Sequence, residues 1–273
     1  MIRRRPATAK INLALVVGPR RDDGKHEVAT VLQRVDLADR IALRAAPELS
    51  VKGFPDDTLV RQALTALAEE AGTEPRWQAA ITKRIPVAAG LGGGSSDAAT
   101  ALRLANETLA APLPPDRLAD LGARHGADVP FFLAQGPQLG TADGTALSPL
   151  DLPQDYYVVL VLPSDSAKSS TAAVYTRFDE HGGPKGFRGR RAALRRALEA
   201  VERPRDLAAL PPNDLASSPI ADELRALGAF RADVSGAGPA VYGLFMRRAD
   251  AVAARRRLDR VGRTWLTVPA WYG

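Results

Sequence analysis

Three groups of residues have the types and spacing to do chemistry on an anionic substrate. The densest is "PVAAGLGGGSSDAAT", where Pro86, Val87, Ala88, Ala89, Gly90, Leu91, Gly92, Gly93, Gly94, Ser95 and Ser96 run into alanine-rich sequence. Glycines remove the Cβ atoms that keep a ligand's oxygens off the main chain. Ser95, Ser96 and Asp97 are all residue types that cap a helix start. A helix beginning there offers unpaired N–H groups and a partial positive charge, an arrangement suited to phosphate. The second group is Lys10 and Asn12, which share a face of an otherwise apolar stretch. The third is Asp128 in "GADVPFF", a carboxylate of the kind that accepts a hydroxyl proton. Both have plain alternatives: Lys10 as a lysine protecting an edge strand, Asp128 as a helix cap before Val-Pro.

Two common phosphate-binding loops do not fit. A Walker A loop ends in Gly-Lys-Ser/Thr, but Ser95 follows Gly94 directly. A dinucleotide fingerprint requires Gly or Ala where Ser95 stands and an acid at the end of the next strand. Here a helical pattern and Pro112-Leu113-Pro114-Pro115 follow instead.

The elements that must position these groups read as α+β in two halves. "TAKINLALVV" (8–17) alternates with period two, which predicts a strand carrying Lys10 and Asn12 on one face. Residues 27–44 predict one or two further strands, 56–72 a helix that opens on acids and stops at Gly72, and 77–85 another strand. Ala98, Ala101, Leu102, Ala105 and Leu109 recur at helical spacing, so the glycine loop feeds a helix. Further helices are expected over about 115–125 and just after Asp128. "DLPQDYYVVLVLP" (151–163) reads as a buried strand entered through a proline-containing connection, which places a domain boundary near 150 and gives domains of 1–150 and 151–273. Helices over about 169–178 and 188–202 follow, then a glycine-rich turn with Gly236 and Gly238 leading into a strand, and a final helix over 248–262.

The chain has 273 residues, 45% hydrophobic and 25% charged, the balance of a globular protein with a sizeable core. It contains no cysteine, which excludes disulfides, zinc fingers, iron–sulfur clusters and thiol nucleophiles. Three widely spaced histidines, His26, His125 and His181, argue against a histidine-built metal site. A metal, if used, is expected to be a hard ion held by oxygen and phosphate. The excess of 37 Lys+Arg over 31 Asp+Glu suits anionic small molecules. Only Arg188–Arg196 resembles a basic patch, and it reads as a solvated helix face; neither a nucleic-acid nor a membrane partner is expected. No run approaches the roughly eighteen apolar residues that cross a bilayer. The basic start, Met1–Pro6, lacks a signal-peptide stretch. The expectation is a cytoplasmic protein starting at Met1, a monomer or homodimer.

"PVAAGLGGGSSDAA" resembles the phosphate loop of the galactokinase–homoserine kinase–mevalonate kinase–phosphomevalonate kinase (GHMP) superfamily, with its pattern Pro-x-x-x-Gly-Leu-Gly-x-x-Ser-Ser. "AKINLALVVGPRRDDGKHEV" (9–28), "GADVPFFL" (126–133), "STAAVY" (170–175) and "VSGAGPAVYGLF" (234–245) are similar to further blocks of the family, in order, so the resemblance covers nearly the whole chain. It implies a two-domain GHMP kinase fold. The N-terminal domain would be like domain 2 of ribosomal protein S5 and the C-terminal one ferredoxin-like, with ATP and acceptor in the cleft between them. The implied activity is transfer of a phosphoryl group from ATP, with Mg²⁺, to an alcohol. The "GKHEV" block after Lys10-Ile11-Asn12 points to members whose acceptor is a cytidine diphosphate-linked polyol, and away from homoserine, mevalonate or sugar acceptors. A non-catalytic RNA-binding protein on the same scaffold would leave the glycine loop without a role.

The resemblance also implies roles. Residues 86–96 would hold ATP, with Ser95 or Ser96 supplying a hydroxyl to Mg²⁺ or to a phosphate. Asp128 would accept the hydroxyl proton, and a catalytic Lys10 nearby would keep that carboxylate ionised and stabilise charge on the transferred phosphoryl. Asn12 and His26 would grip the cytidine end. Lys25 stands where those members have a tyrosine to stack on cytosine, so it would offer a cation–π contact or meet the diphosphate. Gly236 and Gly238 would let their turn approach the phosphate loop or the acceptor. Ala88 stands where glycine is usual.

Overall fold

The computed structural model describes residues 1–54, 58–165 and 170–270. Its contacts divide the chain into two compact units: residues 1–9, 37–87 and 92–135 form one, and residues 10–36, 88–91 and 136–273 the other. Two long strands, β1 (Arg3–Arg20) and β2 (His26–Ala45), contribute residues to both. The stretch 27–44 is thus one strand rather than two.

In the first unit, the C-terminal part of β2 pairs antiparallel with β4 (Trp77–Thr82), Arg40 opposite Thr82 and Ala45 opposite Trp77. The short β3 (Ser50–Lys52) lies parallel to β4 on its other side. Alternation decides which face is covered: Ile41, Leu43, Ala79 and Ile81 are buried, while Arg40, Ala80 and Thr82 are exposed. Helix α1 (Leu59–Glu70) buries the stripe Val60, Ala63, Leu64, Leu67 and Ala68; Asp56 and Asp57, expected to open it, lie outside the described residues. It packs on α2 (Gly93–Asn106), which also meets α3 (Pro115–Ala123) and α4 (Val129–Leu133). Alanines on several sides of α2 let these neighbours approach closely, so the helix is buried nearly all round from Ser96 onward.

In the second unit, β5 (Gln138–Thr141) joins β2 at Thr30–Leu32, and β6 (Ala146–Pro149) joins β5. A separate four-stranded antiparallel sheet is built from β7 (Tyr157–Pro163), β8 (Arg231–Val234), β9 (Val241–Phe245) and β10 (Gly262–Thr267), in the order β10-β7-β9-β8. Helices α5 (Thr171–Glu180), α6 (Phe187–Glu199) and α7 (Pro219–Ala226) fall between β7 and β8, and α8 (Arg248–Leu258) between β9 and β10. Helices α7 and α8 cover one face, burying Val159, Val161, Leu224, Phe245 and Leu258. This β-α-β-β-α-β order with the first and third strands central is the ferredoxin-like arrangement expected for the C-terminal half. The expected start of α5 at Ser169 lies outside the described residues; Ser170 accepts a hydrogen bond from the Ala173 amide and caps the helix.

Candidate active site

In the first unit, α2 begins at Gly93 with Gly92 before it in the left-handed region, φ 70°. No side chain caps this end and its first turn holds no acid. The Ser96 amide reaches back to the Gly92 carbonyl, the first bond of the helix, so the amides of Gly93, Gly94 and Ser95 find no acceptor within it. A Cβ built on Gly94 would meet nothing within 4 Å. That open, uncapped terminus fits a phosphate group. Ser95 is half-buried, whereas Ser96 is 1% exposed. Ser95 Oγ lies 3.6 Å from a Cβ built on Gly126, two residues before Asp128. Asp128 precedes α4 at φ −84°, ψ −12°, and its side chain makes no capping hydrogen bond. The plain reading of Asp128 as a cap is therefore not what the structure shows. Pro86 is half-buried and Val87 is 64% exposed.

Beneath this terminus lies a buried ionic cluster that sequence reasoning missed. Lys83 Nζ donates to Asp39 Oδ2 at 2.5 Å and to Asp97 Oδ2 at 2.8 Å. Asp39 Oδ1 accepts from the amides of Arg84 (2.5 Å) and Ile85 (2.8 Å). Those bonds explain why β4 stops at Thr82 instead of running to Ile85. Asp97 Oδ1 is buried with no hydrogen-bond partner among the described residues. Burial, reinforced by the neighbouring Asp39 carboxylate, pushes the Asp97 carboxyl up to about 7 against the opposing pull of Lys83. Asp39 and Asp97 are 58 positions apart, and nothing in their spacing signals a shared lysine.

In the second unit, residues 88–91 meet the turn after β8 backbone to backbone. A Cβ on Gly90 would stand 2.2 Å from the Ser235 carbonyl oxygen, and one on Gly238 would stand 2.2 Å from the Gly90 nitrogen. Ser235 Oγ donates to the Gly90 carbonyl (3.0 Å) and the Ala240 amide to the Ala89 carbonyl (3.1 Å). At Gly90 and Gly238 the missing side chains therefore admit the chain itself. Leu91 is buried and accepts the Lys10 amide through its carbonyl. Ala88, at φ 57°, occupies a left-handed conformation that favours glycine.

Lys10 and Asn12 are 4% and 5% exposed, so Lys10 is no edge-protecting surface lysine. Its Nζ donates to Asn12 Oδ1 (2.7 Å), Asn12 Nδ2 donates to Thr30 Oγ1 (2.8 Å), and Thr30 Oγ1 donates to the Ala14 carbonyl (2.8 Å). A Cβ on Gly236 would lie 3.3 Å from Asn12 Oδ1 and 3.4 Å from Lys10 Nζ, which brings the three together. Asn213 donates through Nδ2 to the carbonyls of Val234 (3.0 Å) and Gly236 (2.7 Å), pinning this turn.

Lys25 and His26 form a further cluster in the same unit. Lys25 Nζ donates to Asp143 Oδ2 at 2.6 Å. Burial works to raise the Asp143 carboxyl, but Lys25 and Thr145 outweigh it and hold it at about 2. His26 Nε2 and Asp179 Oδ1 are 2.8 Å apart, and the imidazole lies 4.8 Å from the Tyr175 ring, centroid to centroid. Asp179 also accepts from Arg20 Nε; partial burial works to raise its carboxyl, but the hydrogen bonds with His26 and Arg20 outweigh it and hold it below the usual carboxylate range. Tyr175 stands in the "STAAVY" block, but its place beside His26 was not legible there.

The GHMP kinases N terminal domain matches residues 58–136, and the GHMP kinases C terminal domain matches residues 190–264. Over 276 residues, 95% of each chain, the sequence is 37% identical to 4-diphosphocytidyl-2-C-methyl-D-erythritol kinase of Geobacter sulfurreducens. This chain belongs to the GHMP kinase family. A second relative in the family, the enzyme of the same description from Gloeobacter violaceus, is 39% identical over 264 residues, 90% of this chain and 87% of that one. A crystal structure of 4-(cytidine 5'-diphospho)-2C-methyl-D-erythritol kinase superposes with TM-score 0.79 at 30% identity, covering 98% of this chain and all of that one. A mevalonate kinase structure matches with TM-score 0.75 at 15% identity, which shows the common GHMP fold alone. Among the described residues no helix is long and apolar enough to cross a membrane, and no group of three or more His, Asp or Glu is placed to hold a metal ion.

Proposed function

We propose that this chain is an ATP-dependent kinase that phosphorylates the 2-hydroxyl of 4-diphosphocytidyl-2-C-methyl-D-erythritol, a step in the non-mevalonate route to isoprenoid precursors. The relatives described above, similar over nearly their whole length, support the acceptor. The observation that carries the chemistry is the uncapped, glycine-opened start of α2.

Magnesium ATP supplies the phosphoryl group and the electrophilic phosphorus. The amides of Gly92, Gly93, Gly94 and Ser95 orient the terminal phosphates through main-chain hydrogen bonds. The half-buried Ser95 hydroxyl, rather than the buried Ser96, is the one that would be available to hold the metal or a phosphate oxygen. No all-protein cage is needed for an ion that arrives with the nucleotide. Asp128 accepts the proton of the acceptor hydroxyl as the new O–P bond forms. Lys10, oriented by Asn12, offsets negative charge on the transferring phosphoryl. At the cytidine end, His26 is fixed by Asp179 and flanked by Tyr175. That ring supplies the aromatic face that Lys25 does not, while Lys25, held by Asp143, supplies charge.

Asp128→Asn keeps the shape and removes the base. In steady-state ADP-release kinetics its kcat is expected to fall about 10³-fold, with ATP affinity changed by less than about threefold. A kcat within about threefold of the parent would remove Asp128 from the mechanism.

A further inference from the structure

The exposed face of the β2–β4–β3 sheet carries cations that the phosphate chemistry above does not use. The register puts Arg40 opposite Thr82, Ala42 opposite Ala80 and Arg44 opposite Gln78, with Lys52 opposite Ala80 from the other side. Ile41, Leu43, Ala79 and Ile81 face the buried side, so Arg40, Arg44 and Lys52 share the outer one. There, Arg4 and Arg5 of β1 join Arg40 around a cavity of about 500 Å³, over Ala42, Ala80 and Thr82.

No carboxylate and none of residues 86–96 lines this cavity. Arg5 is partly neutralised by Glu107, 2.8 Å away. The side chains of Arg4 and Arg40 make no hydrogen bond or ion pair with any described residue. Arg44 spends one donor on Gln78 Oε1 (2.8 Å). Like charges gathered without a counter-charge repel one another, and an anion relieves that repulsion. Guanidinium groups present planar pairs of donors that match phosphate oxygens two at a time. The small residues of the floor leave room for such a group, and the volume falls in the range of small-molecule sites.

We propose that this cavity is a binding site for a small molecule bearing a diphosphate, separate from the nucleotide site, with Arg4 and Arg40 as its principal ligands. The test is calorimetric titration of inorganic pyrophosphate into the full chain, without divalent metal and with ADP saturating the nucleotide site. Saturable binding is expected, weakened about tenfold by Arg4→Ala and by Arg40→Ala. These two variants should keep the parent circular dichroism and kcat. Arg195→Ala, at an exposed arginine on α6, should bind pyrophosphate as the parent does. The proposal is overturned by absence of saturable binding, by binding that appears only when ADP is left out, or by an equal loss in Arg195→Ala, which would mean diffuse attraction to a basic protein.

Discussion

Lys83 holds two carboxylates from distant parts of the sequence, and they differ in how many hydrogen bonds they accept. Asp39 accepts from the ammonium and from two amides. Asp97 has the same ammonium and one bare oxygen. Burial without full hydrogen bonding favours the neutral acid, hence the rise to about 7 from the usual 3.8. A carboxyl whose folded value exceeds its unfolded one binds the proton more tightly when folded. Its contribution to stability is therefore complete below about 4 and lost as pH rises through about 7. Asp97→Asn removes this term. In urea titrations the stability of the parent relative to that variant should fall steadily between pH 4 and 7 and stay level above. A difference independent of pH would mean that Asp97 is ionised throughout.

At the scale of elements, the glycines of the loop divide by what approaches them. Gly90 packs against the turn that follows β8 and has φ 83°, whereas Gly94 opens on empty space. Gly90→Ala should destabilise the fold by roughly 3 kcal/mol or more, from backbone overlap and a disfavoured φ. Gly94→Ala should leave stability level or raise it by about 0.5 kcal/mol, as alanine does within a helix. The same methyl would stand where the proposed phosphates lie, so its KM for ATP should rise about tenfold. Thermal unfolding and ATP titration of the two variants separate packing from binding; a Gly94→Ala enzyme with unchanged KM would move the phosphates away from this terminus.

This division shows what the sequence could convey. The strand–loop–helix order around residues 77–106 was legible because hydrophobic period is a local signal, but the capping types Ser95, Ser96 and Asp97 misled: α2 starts before them at Gly93 with no side-chain cap. Helix α2 and strands β1, β2, β4, β7 and β9 were readable for the same reason. Asp39, Asp97, Asp179 and Gly236 lie 14 to 153 positions from the Lys83, His26 and Asn213 that they meet, and no periodicity records such separations. Short strands escaped for another reason. Strands β3, β5, β6 and β8 span three or four residues each, too few for an alternation to stand out. Asp128 could be read as cap or base from "ADVP", and the geometry of α4 shows only that its side chain makes no capping hydrogen bond.

At the scale of the whole molecule, the family fold sets the reaction class while a few side chains must choose the acceptor. The GHMP arrangement is common to this chain and to a mevalonate kinase at 15% identity, so architecture by itself does not distinguish one alcohol from another. Discrimination falls to groups that can hold or reject the far end of the acceptor. Under the proposed function these are His26, which meets Asp179, Tyr175 beside it, and the Lys25–Asp143 pair. A buried imidazole and an aromatic ring suit a nucleobase, and are left without a partner by a small aliphatic alcohol. The most direct test is a coupled ADP-release assay on the purified protein with Mg²⁺ATP, comparing 4-diphosphocytidyl-2-C-methyl-D-erythritol, mevalonate and homoserine as acceptors. The expected result is turnover with the cytidylyl acceptor at a kcat/KM at least about 10³-fold above the other two. Equal or greater turnover with mevalonate or homoserine, or no ADP release above background with the cytidylyl acceptor, would contradict the account.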